Sequence, residues 1–333
     1  MKDKKKKVFV GLVAVTQVVL LLGMVGLFVQ NSNLSKSIAQ YIGTNSDIHE
    51  IWDDSKVVEA YKTGKTDELN EQDKYVLETA KKVIKDNIKE DMTPYEKEKA
   101  IYDWQVKYVN FNDSNLSPIS NGEEYNHTPY GVLKYHQAIC VGNATTFKLF
   151  MDILGIENQI IHSTEEGEHA WNLVKLDGDW YHVDITFDGG TFGKAQYSYF
   201  NVPDSVKDDG SYPWNHGVIP AADGSKYCYM ANEAENLKDV YGLPKALKKA
   251  MDKGATAVYY TVGNQEGLTT ETVDYICSAF TNEKYEVMSN TTYVIGDKTI
   301  YSISISDNDA MADDGQNQAV LEKLEKIIEK LIY

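Results

Sequence analysis

The fold of this chain is decided by residues 169–187, HAWNLVKLDGDWYHVDITF. Both halves of this stretch are rich in aromatic and β-branched residues, which favour β-strands. Between the halves stands Asp177-Gly178, a dipeptide that is typical of two-residue hairpin turns. The stretch therefore predicts a β-hairpin whose strands cover residues 169–176 and 179–187.

The turn also predicts the register of the two strands. Counting outward from a two-residue turn gives three facing pairs, which are Leu176 with Asp179, Trp171 with Asp184, and His169 with Thr186. Since side chains alternate along a strand, His169 and Asp184 lie on one face as diagonal neighbours, about 7–8 Å apart at Cα. An imidazole–carboxylate hydrogen bond between them is therefore expected.

Cys140 is the candidate nucleophile for this imidazole. The residues after it place a set of apolar side chains on one helical face, namely Ala144, Phe147, Met151 and Leu154. Gly155 then follows as a stop signal. Cys140 is thus predicted at a helix N-terminus, where unpaired N–H groups, the helix dipole and a nearby imidazolium all favour a thiolate.

Thiol, imidazole and carboxylate together suit nucleophilic catalysis, because the carboxylate fixes the imidazole tautomer and the imidazole activates the thiol. Taken singly, each residue has an ordinary structural explanation, since a free cysteine is most often a small buried apolar side chain. The joint placement of Cys140, His169 and Asp184 favours catalysis. His182 lies on the same hairpin face, and the hairpin geometry alone leaves it open as the base.

A family resemblance is carried by two segments, YGVLKYHQAICVGNATTFKLFMDILGI and GEHAWNLVKLDGDWYHVDITFD. Together with MTPYEKEKAIYDWQVKYVNFND upstream and YFNVPD downstream, they make residues 71–232 resemble the transglutaminase-like superfamily of papain-fold cysteine enzymes. The resemblance implies an α+β fold in which helices precede an antiparallel sheet. It also implies that Cys140 is the nucleophile, His169 the general base and Asp184 the orienting carboxylate.

Two positions depart from the family pattern. Asn143 stands where many relatives carry Tyr in Cys-x-Gly-Tyr-Ala, and Phe187 stands where relatives usually carry Trp. Acyl transfer also requires donors for the oxyanion of the intermediate. We expect the backbone N–H of Cys140 to be one donor, with Gln137 and Trp104 as candidates for a second.

The N-terminus predicts a membrane anchor. Residues 8–29 carry no charge and are long enough to span a bilayer, and Lys2 and Lys4–Lys7 precede them. By the positive-inside rule, the protein is then a single-pass plasma-membrane protein whose catalytic region is extracytoplasmic. A cleaved signal peptide ending at Ser37-Ile38-Ala39 is the alternative. The apolar run is longer than a usual signal core, and Ala39 lies far beyond its end, which favours the anchor.

The net charge of −17 constrains the partners. The residues before the apolar run contribute +4, so the remainder of the chain carries −21. An acidic ectodomain disfavours nucleic acid, whereas a peptide or protein substrate is what the family resemblance implies. It is compatible with a lysine-bearing substrate, although dispersed acidic groups also serve solubility. All 33 basic residues are lysines, so guanidinium clamps for phosphate are excluded.

Three cysteines, Cys140, Cys228 and Cys277, are too few and too scattered for a metal site or a disulfide framework. We therefore expect neither a metal nor a cofactor. Cys228 and Cys277 either pair with each other or remain as two separate buried thiols.

With 333 residues and 42% hydrophobic content, the chain can hold one large core or two modest ones. We predict five parts, namely a cytoplasmic tip with a transmembrane helix (1–30), a juxtamembrane spacer and helix (31–70), a catalytic domain (71–240), a small α/β module (241–306), and an acidic linker with a C-terminal amphipathic helix (307–333). Helical periodicity at residues 71–88 and 95–109, with Thr93 as N-cap, places helices before Cys140.

The sequence thus predicts extracytoplasmic, cysteine-dependent acyl transfer on peptide or glutamine-type amides. The acyl group goes to water in a peptidase or amidase and to an amine in a cross-linking enzyme. The alternative is a non-catalytic cell-envelope module that binds peptides or acts as a scaffold on the same fold. A reactive Cys140 favours the enzyme.

Overall fold

A computed structural model describes the chain over residues 51–111, 126–163, 169–189, 195–282, 284–289 and 291–307. Two predicted features lie outside these residues: the transmembrane helix at 8–29 and the C-terminal amphipathic helix. Among the helices of the described ranges, none is long and apolar enough to cross a membrane.

Three helices come first, α1 (Ser55–Thr63), α2 (Glu71–Asn87) and α3 (Pro94–Tyr108). Helix α3 begins with a capping box in which Thr93 accepts from the backbone N–H of Glu96 and the Glu96 carboxylate accepts from that of Thr93. Thr93 is therefore the N-cap, as predicted, and Pro94 takes the first helical position.

The next elements are β1 (Asn110–Phe111), α4 (Pro129–Tyr135), β2 (Gln137–Ala138) and α5 (Cys140–Leu154), with β1 and β2 paired in parallel. The prediction that Cys140 opens a helix is confirmed. Gly155 ends α5 with a φ of 72°, a left-handed conformation that glycine adopts without a Cβ clash. The α5 face around Phe147 and Met151 is fully buried in the main core.

A four-stranded antiparallel sheet packs against α5 in the described part of the chain. It contains β3 (Asn158–His162), β4 (Ala170–Leu176), β5 (Asp179–Val183) and β6 (Phe200–Val202), in that spatial order. The predicted turn is confirmed, because Asp177 and Gly178 have φ values of 51° and 97°, as a two-residue type I′ turn requires. The predicted pairing of Leu176 with Asp179 is also confirmed.

The second strand ends earlier than predicted. Its ladder stops at the pair Asn172–Val183, and Asp184 is the N-cap of a short helix, α6 (Ile185–Asp188). The carboxylate of Asp184 accepts the backbone N–H of Phe187 at 3.2 Å. Aspartate is a strong N-cap residue, and this capping bond competes with continued strand pairing. The predicted pairing of Trp171 with Asp184 and that of His169 with Thr186 are therefore wrong.

The rest of the described chain forms a second sheet with helices. Its elements are α7 (Asp204–Lys207), α8 (Tyr229–Glu233), β7 (Glu235–Leu237), α9 (Leu243–Asp252), β8 (Ala257–Val262), α10 (Thr270–Phe280), β9 (Tyr285–Ser289), β10 (Tyr293–Ile295) and β11 (Lys298–Asp307). The sheet order is β10-β11-β8-β7, and β9 also pairs with β11. Cys228 and Cys277 are buried as free thiols in two separate apolar clusters, so they do not pair with each other.

Candidate active site

The hairpin and α5 bring the three predicted site residues together. Cys140 is the first residue of α5, His169 directly precedes β4, and Asp184 lies between β5 and α6. His169 Nε2 donates to Asp184 Oδ2 over 2.7 Å, and both side chains are buried. The half-buried thiol of Cys140 lies close enough to His169 to raise the pKa of that ring. The loss of the predicted strand pairing has therefore not separated the imidazole from its carboxylate.

The two ring nitrogens of His169 have different partners. Because Nε2 is held by Asp184, Nδ1 is the nitrogen left to interact with the thiol of Cys140. Burial alone would lower the pKa of His169, but the charge of Asp184 and its hydrogen bond, together with Cys140, raise this pKa to about 9. A ring that keeps its proton near neutral pH is the partner that a thiolate nucleophile requires.

Asp184 has a second cationic partner, which the sequence reasoning missed. Lys207 Nζ donates to Asp184 Oδ2 over 2.6 Å, and the side chain of Lys207 is only 2% exposed. Burial would raise the pKa of Asp184, but the charges of His169 and Lys207 outweigh burial and hold this pKa far below its usual range. The group is thus a carboxylate at any working pH. The one sequence signal for Lys207 is its position shortly after YFNVPD, a segment of the family-like region.

His182, the alternative base, is engaged elsewhere. Its Nδ1 accepts from Trp171 Nε1 over 2.9 Å, and its Nε2 donates to Asp204 Oδ1 over 2.7 Å. Burial lowers the pKa of His182, which keeps the ring neutral near pH 7. Since both of its nitrogens are occupied, His182 has none left for Cys140, and the geometry favours His169 as the base.

Aromatic rings enclose the imidazole of His169. Phe187 stacks on it with a centroid distance of 4.3 Å and an interplanar angle of 9°, and the Tyr212 ring lies 4.8 Å away. Phe187 is the position at which relatives usually carry Trp, and its smaller ring still covers the imidazole. Apolar walls reduce the local dielectric constant, which strengthens the interactions among the charged groups inside them.

Asn143, the other departure from the family pattern, ties two helices together. Its side-chain amide donates to Thr186 Oγ1 over 3.2 Å, so it connects the first turn of α5 to α6, which follows Asp184. Gln105 on α3 donates to the backbone and side-chain oxygens of Asn143, over 2.9 and 3.1 Å. The residue thus fixes the nucleophile's helix relative to the segment that carries the carboxylate.

Gly142 allows the chain before α4 to approach the nucleophile's helix. A Cβ at this position would lie 1.9 Å from the backbone oxygen of Asn126, far inside contact distance. The same oxygen accepts the backbone N–H of Ile139 over 3.2 Å. A side chain at residue 142 would therefore push Asn126 away from the first turn of α5.

The two candidates for a second oxyanion donor differ in position. Trp104 packs on Phe150, which lies ten residues after Cys140 and therefore about 15 Å along α5. Trp104 is therefore not placed to serve the oxyanion. Gln137 is exposed on β2, three residues before Cys140, and it stays the candidate. Among the described His, Cys, Asp and Glu side chains, no group of three is arranged to hold a metal ion.

Comparisons with known proteins give the following similarities. A solved structure described as "Crystal structure of a TGase" is 16% identical, and the alignment covers 38% of this chain and 36% of that chain with a TM-score of 0.31. A search of curated proteins found no match. A family model for the transglutaminase-like superfamily matches residues 81–185. This segment, which contains Cys140, His169 and Asp184, is similar to the transglutaminase-like superfamily.

Proposed function

We propose that the protein is a cysteine-dependent acyl-transfer enzyme that acts on peptide or glutamine-type amides outside the cytoplasm. The observation that carries the proposal is the convergence of Cys140, at a helix N-terminus, with an imidazole that Asp184 holds through Nε2. Members of the superfamily are usually cysteine enzymes. The anchored, extracytoplasmic location rests on the charge pattern of residues 1–29 alone.

In the acylation step, the thiolate of Cys140 attacks the amide carbonyl carbon. The carbonyl electron pair moves onto oxygen, where the backbone N–H of Cys140 can donate, because the first N–H groups of a helix have no intrahelical acceptor. His169 then gives its Nδ1 proton to the leaving nitrogen as the C–N bond breaks. The products are an amine and a thioester on Cys140, with His169 left neutral.

In the deacylation step, water or an amine attacks the thioester carbonyl. Neutral His169 takes the proton from the attacking oxygen or nitrogen, the C–S bond breaks, and the thiolate leaves. The first nucleophile gives hydrolysis and the second gives cross-linking. Asp184 stabilises the imidazolium in both directions without being protonated itself.

Alkylation with iodoacetamide tests the nucleophile. Cys140 should react faster than either buried thiol, so Cys140→Ala should lose the fast reaction whereas Cys228→Ala, the matched control, should keep it. Parent and Cys140→Ala should then be incubated with a peptide library, with and without a primary amine, and the products read by mass spectrometry.

The outcomes separate the two classes of function. Amide cleavage or amine incorporation that depends on Cys140 supports the enzyme. Equal alkylation in the parent and in Cys140→Ala refutes a reactive thiol at this position. Fast alkylation without any turnover favours the non-catalytic peptide-binding module instead.

A further inference from the structure

Lys207 occupies an unusual position for a lysine. Its ammonium group lies against Asp184 Oδ2, the same oxygen that accepts from His169 Nε2. Three aromatic ring centroids lie 4.4 to 4.9 Å from its Nζ atom, those of Trp171, Phe187 and Tyr199. A charged amine at such depth is costly unless it is paired, and its proximity to the carboxylate of the proposed triad suggests a role there.

A second histidine–carboxylate pair holds Lys207 in place. Helix α7 has only four residues, from Asp204 to Lys207, so it has little stability of its own. Asp204 accepts from His182 Nε2, and His182 in turn accepts from Trp171. Because Asp204 and Lys207 are three residues apart, both side chains lie on the helix face towards the hairpin.

We propose that Lys207 is a positioning residue that offsets the charge of Asp184, so that His169 stays neutral in the acyl-enzyme and can accept a proton during deacylation. The inference rests on the proposed function, because it concerns the second half of that reaction. It also assigns a purpose to His182 and Asp204, which anchor the helix that carries Lys207.

The charges around His169 change during the reaction. In the free enzyme, the thiolate of Cys140 and the carboxylate of Asp184 both stabilise the proton on His169. The thioester is neutral, so in the acyl-enzyme only Asp184 still does so. Deacylation needs a neutral ring, because the ring must accept a proton from water or an amine. A cation beside Asp184 weakens the remaining attraction and favours that neutral ring.

The distance between the two cations gives the size of the effect. Since His169 Nε2 and Lys207 Nζ lie 2.7 and 2.6 Å from one oxygen, they are no more than about 5 Å apart. At an effective dielectric constant of about 20, one charge at that distance changes a proton equilibrium by about two pH units. Within the described part of the chain, other titratable groups near His169 or Asp184 include His162, His182, Asp188, Tyr199 and Tyr212.

The test measures the titration of His169 directly in the full chain. Cys140 is capped as a neutral methyl disulfide, which imitates the charge of the thioester. The ring of His169 is followed by NMR as a function of pH, with its signal assigned by its loss in His169→Gln. In Lys207→Met, the titration midpoint should rise by about one to two pH units relative to the parent.

Two further variants make the result decisive. Lys226→Met is the matched control, since Lys226 pairs with Asp177 at the exposed hairpin turn, and its midpoint should equal that of the parent. Lys207→Gln removes the charge but keeps an N–H donor for Asp184, and it should give the same rise if Lys207→Met does not fold. An unchanged midpoint in a folded Lys207 variant overturns the inference.

A kinetic measurement links the titration to turnover. With an amide substrate that the parent turns over, Lys207→Met should accumulate acyl-enzyme. The pH at which the deacylation rate reaches half of its maximum should rise together with the titration midpoint of His169. If the parent shows no turnover but the midpoint still rises, the proposed function fails and the electrostatic role of Lys207 is retained. If the parent turns the substrate over and the His169 midpoint is the same in the parent and in Lys207→Met, only the inference about Lys207 fails.

Discussion

Glu98 makes the stability of the protein depend on pH, and Glu98→Gln should reduce that dependence. The carboxyl group lies on α3 with no exposed area, and its Oε2 accepts from Asn201 Nδ2 over 2.9 Å. Burial raises the pKa of Glu98 from the ordinary value of 4.5 to about 8, although the bond from Asn201 acts in the opposite direction. The group is therefore a neutral acid in the folded protein at neutral pH.

The sign of the effect follows from proton binding. Between pH 4.5 and about 8, folded Glu98 holds a proton that the unfolded chain has lost, so the free energy of unfolding falls as pH rises. At about 1.4 kcal/mol per pH unit, the loss is at most about 5 kcal/mol, and entry of water on ionisation will reduce it. Glutamine has the same shape, still accepts from Asn201, and does not titrate. Glu98→Gln should therefore lose less stability over this interval.

Urea unfolding of the full chain at pH 5 and at pH 8.5 measures this difference. The parent also loses stability because Asp188 and His169 have pKa values raised to about 7 and about 9. The variant should therefore show a shallower decline rather than none. Glu59→Gln, at an exposed site on α1, should decline as the parent does. A variant at position 98 that declines as steeply as the parent would refute the reasoning.

Three further predictions concern the site. Gly142→Ala should destabilise the fold by about 1–3 kcal/mol and slow alkylation of Cys140, because the new Cβ overlaps the oxygen of Asn126; an unchanged rate and stability would contradict the close approach. Asp184→Asn should lower the free energy of unfolding by about 3–5 kcal/mol, because it leaves buried Lys207 unpaired, and urea unfolding of Asp184→Asn/Lys207→Met should show that part of this stability returns. If none returns, the two residues are not coupled. His169→Gln should abolish the fast alkylation of Cys140 below pH 8. His182→Gln should keep the pH profile of alkylation and lose about 1–3 kcal/mol of stability. The reverse pattern would make His182 the base.

The features that the sequence predicts well are local ones. The Asp177-Gly178 turn requires two residues at positive φ, and the helix that begins at Cys140 is defined by apolar spacing and a terminal glycine. Asp184 shows where local reasoning fails. An aspartate in a β-rich run can continue the strand or cap a helix, and the choice depends on Tyr199, whose backbone oxygen accepts the Asp184 N–H in the folded chain.

Lys207 could not be predicted, because its role depends on a return of the chain. It lies 23 residues after Asp184, and no periodicity in the sequence connects the two. A lysine in a polar stretch is ordinarily read as solvated, since lysines are rarely buried unless paired. The family-like YFNVPD segment indicated that this stretch belongs with the core, but it carried no information on which side chain reaches the carboxylate.

His169 and His182 show how neighbours, rather than residue type, decide the chemistry of a side chain. Both are buried, both lie in one hairpin region, and each donates through Nε2 to an aspartate over 2.7 Å. They differ at Nδ1, which in His169 is left to interact with the thiol of Cys140 and in His182 accepts from the indole of Trp171. An indole N–H can only donate, so Nδ1 of His182 serves as an acceptor, and burial lowers the pKa of this ring; a thiol, by contrast, can give up its proton. The first ring can therefore move a proton to and from Cys140, and the second can only support the helix that carries Lys207.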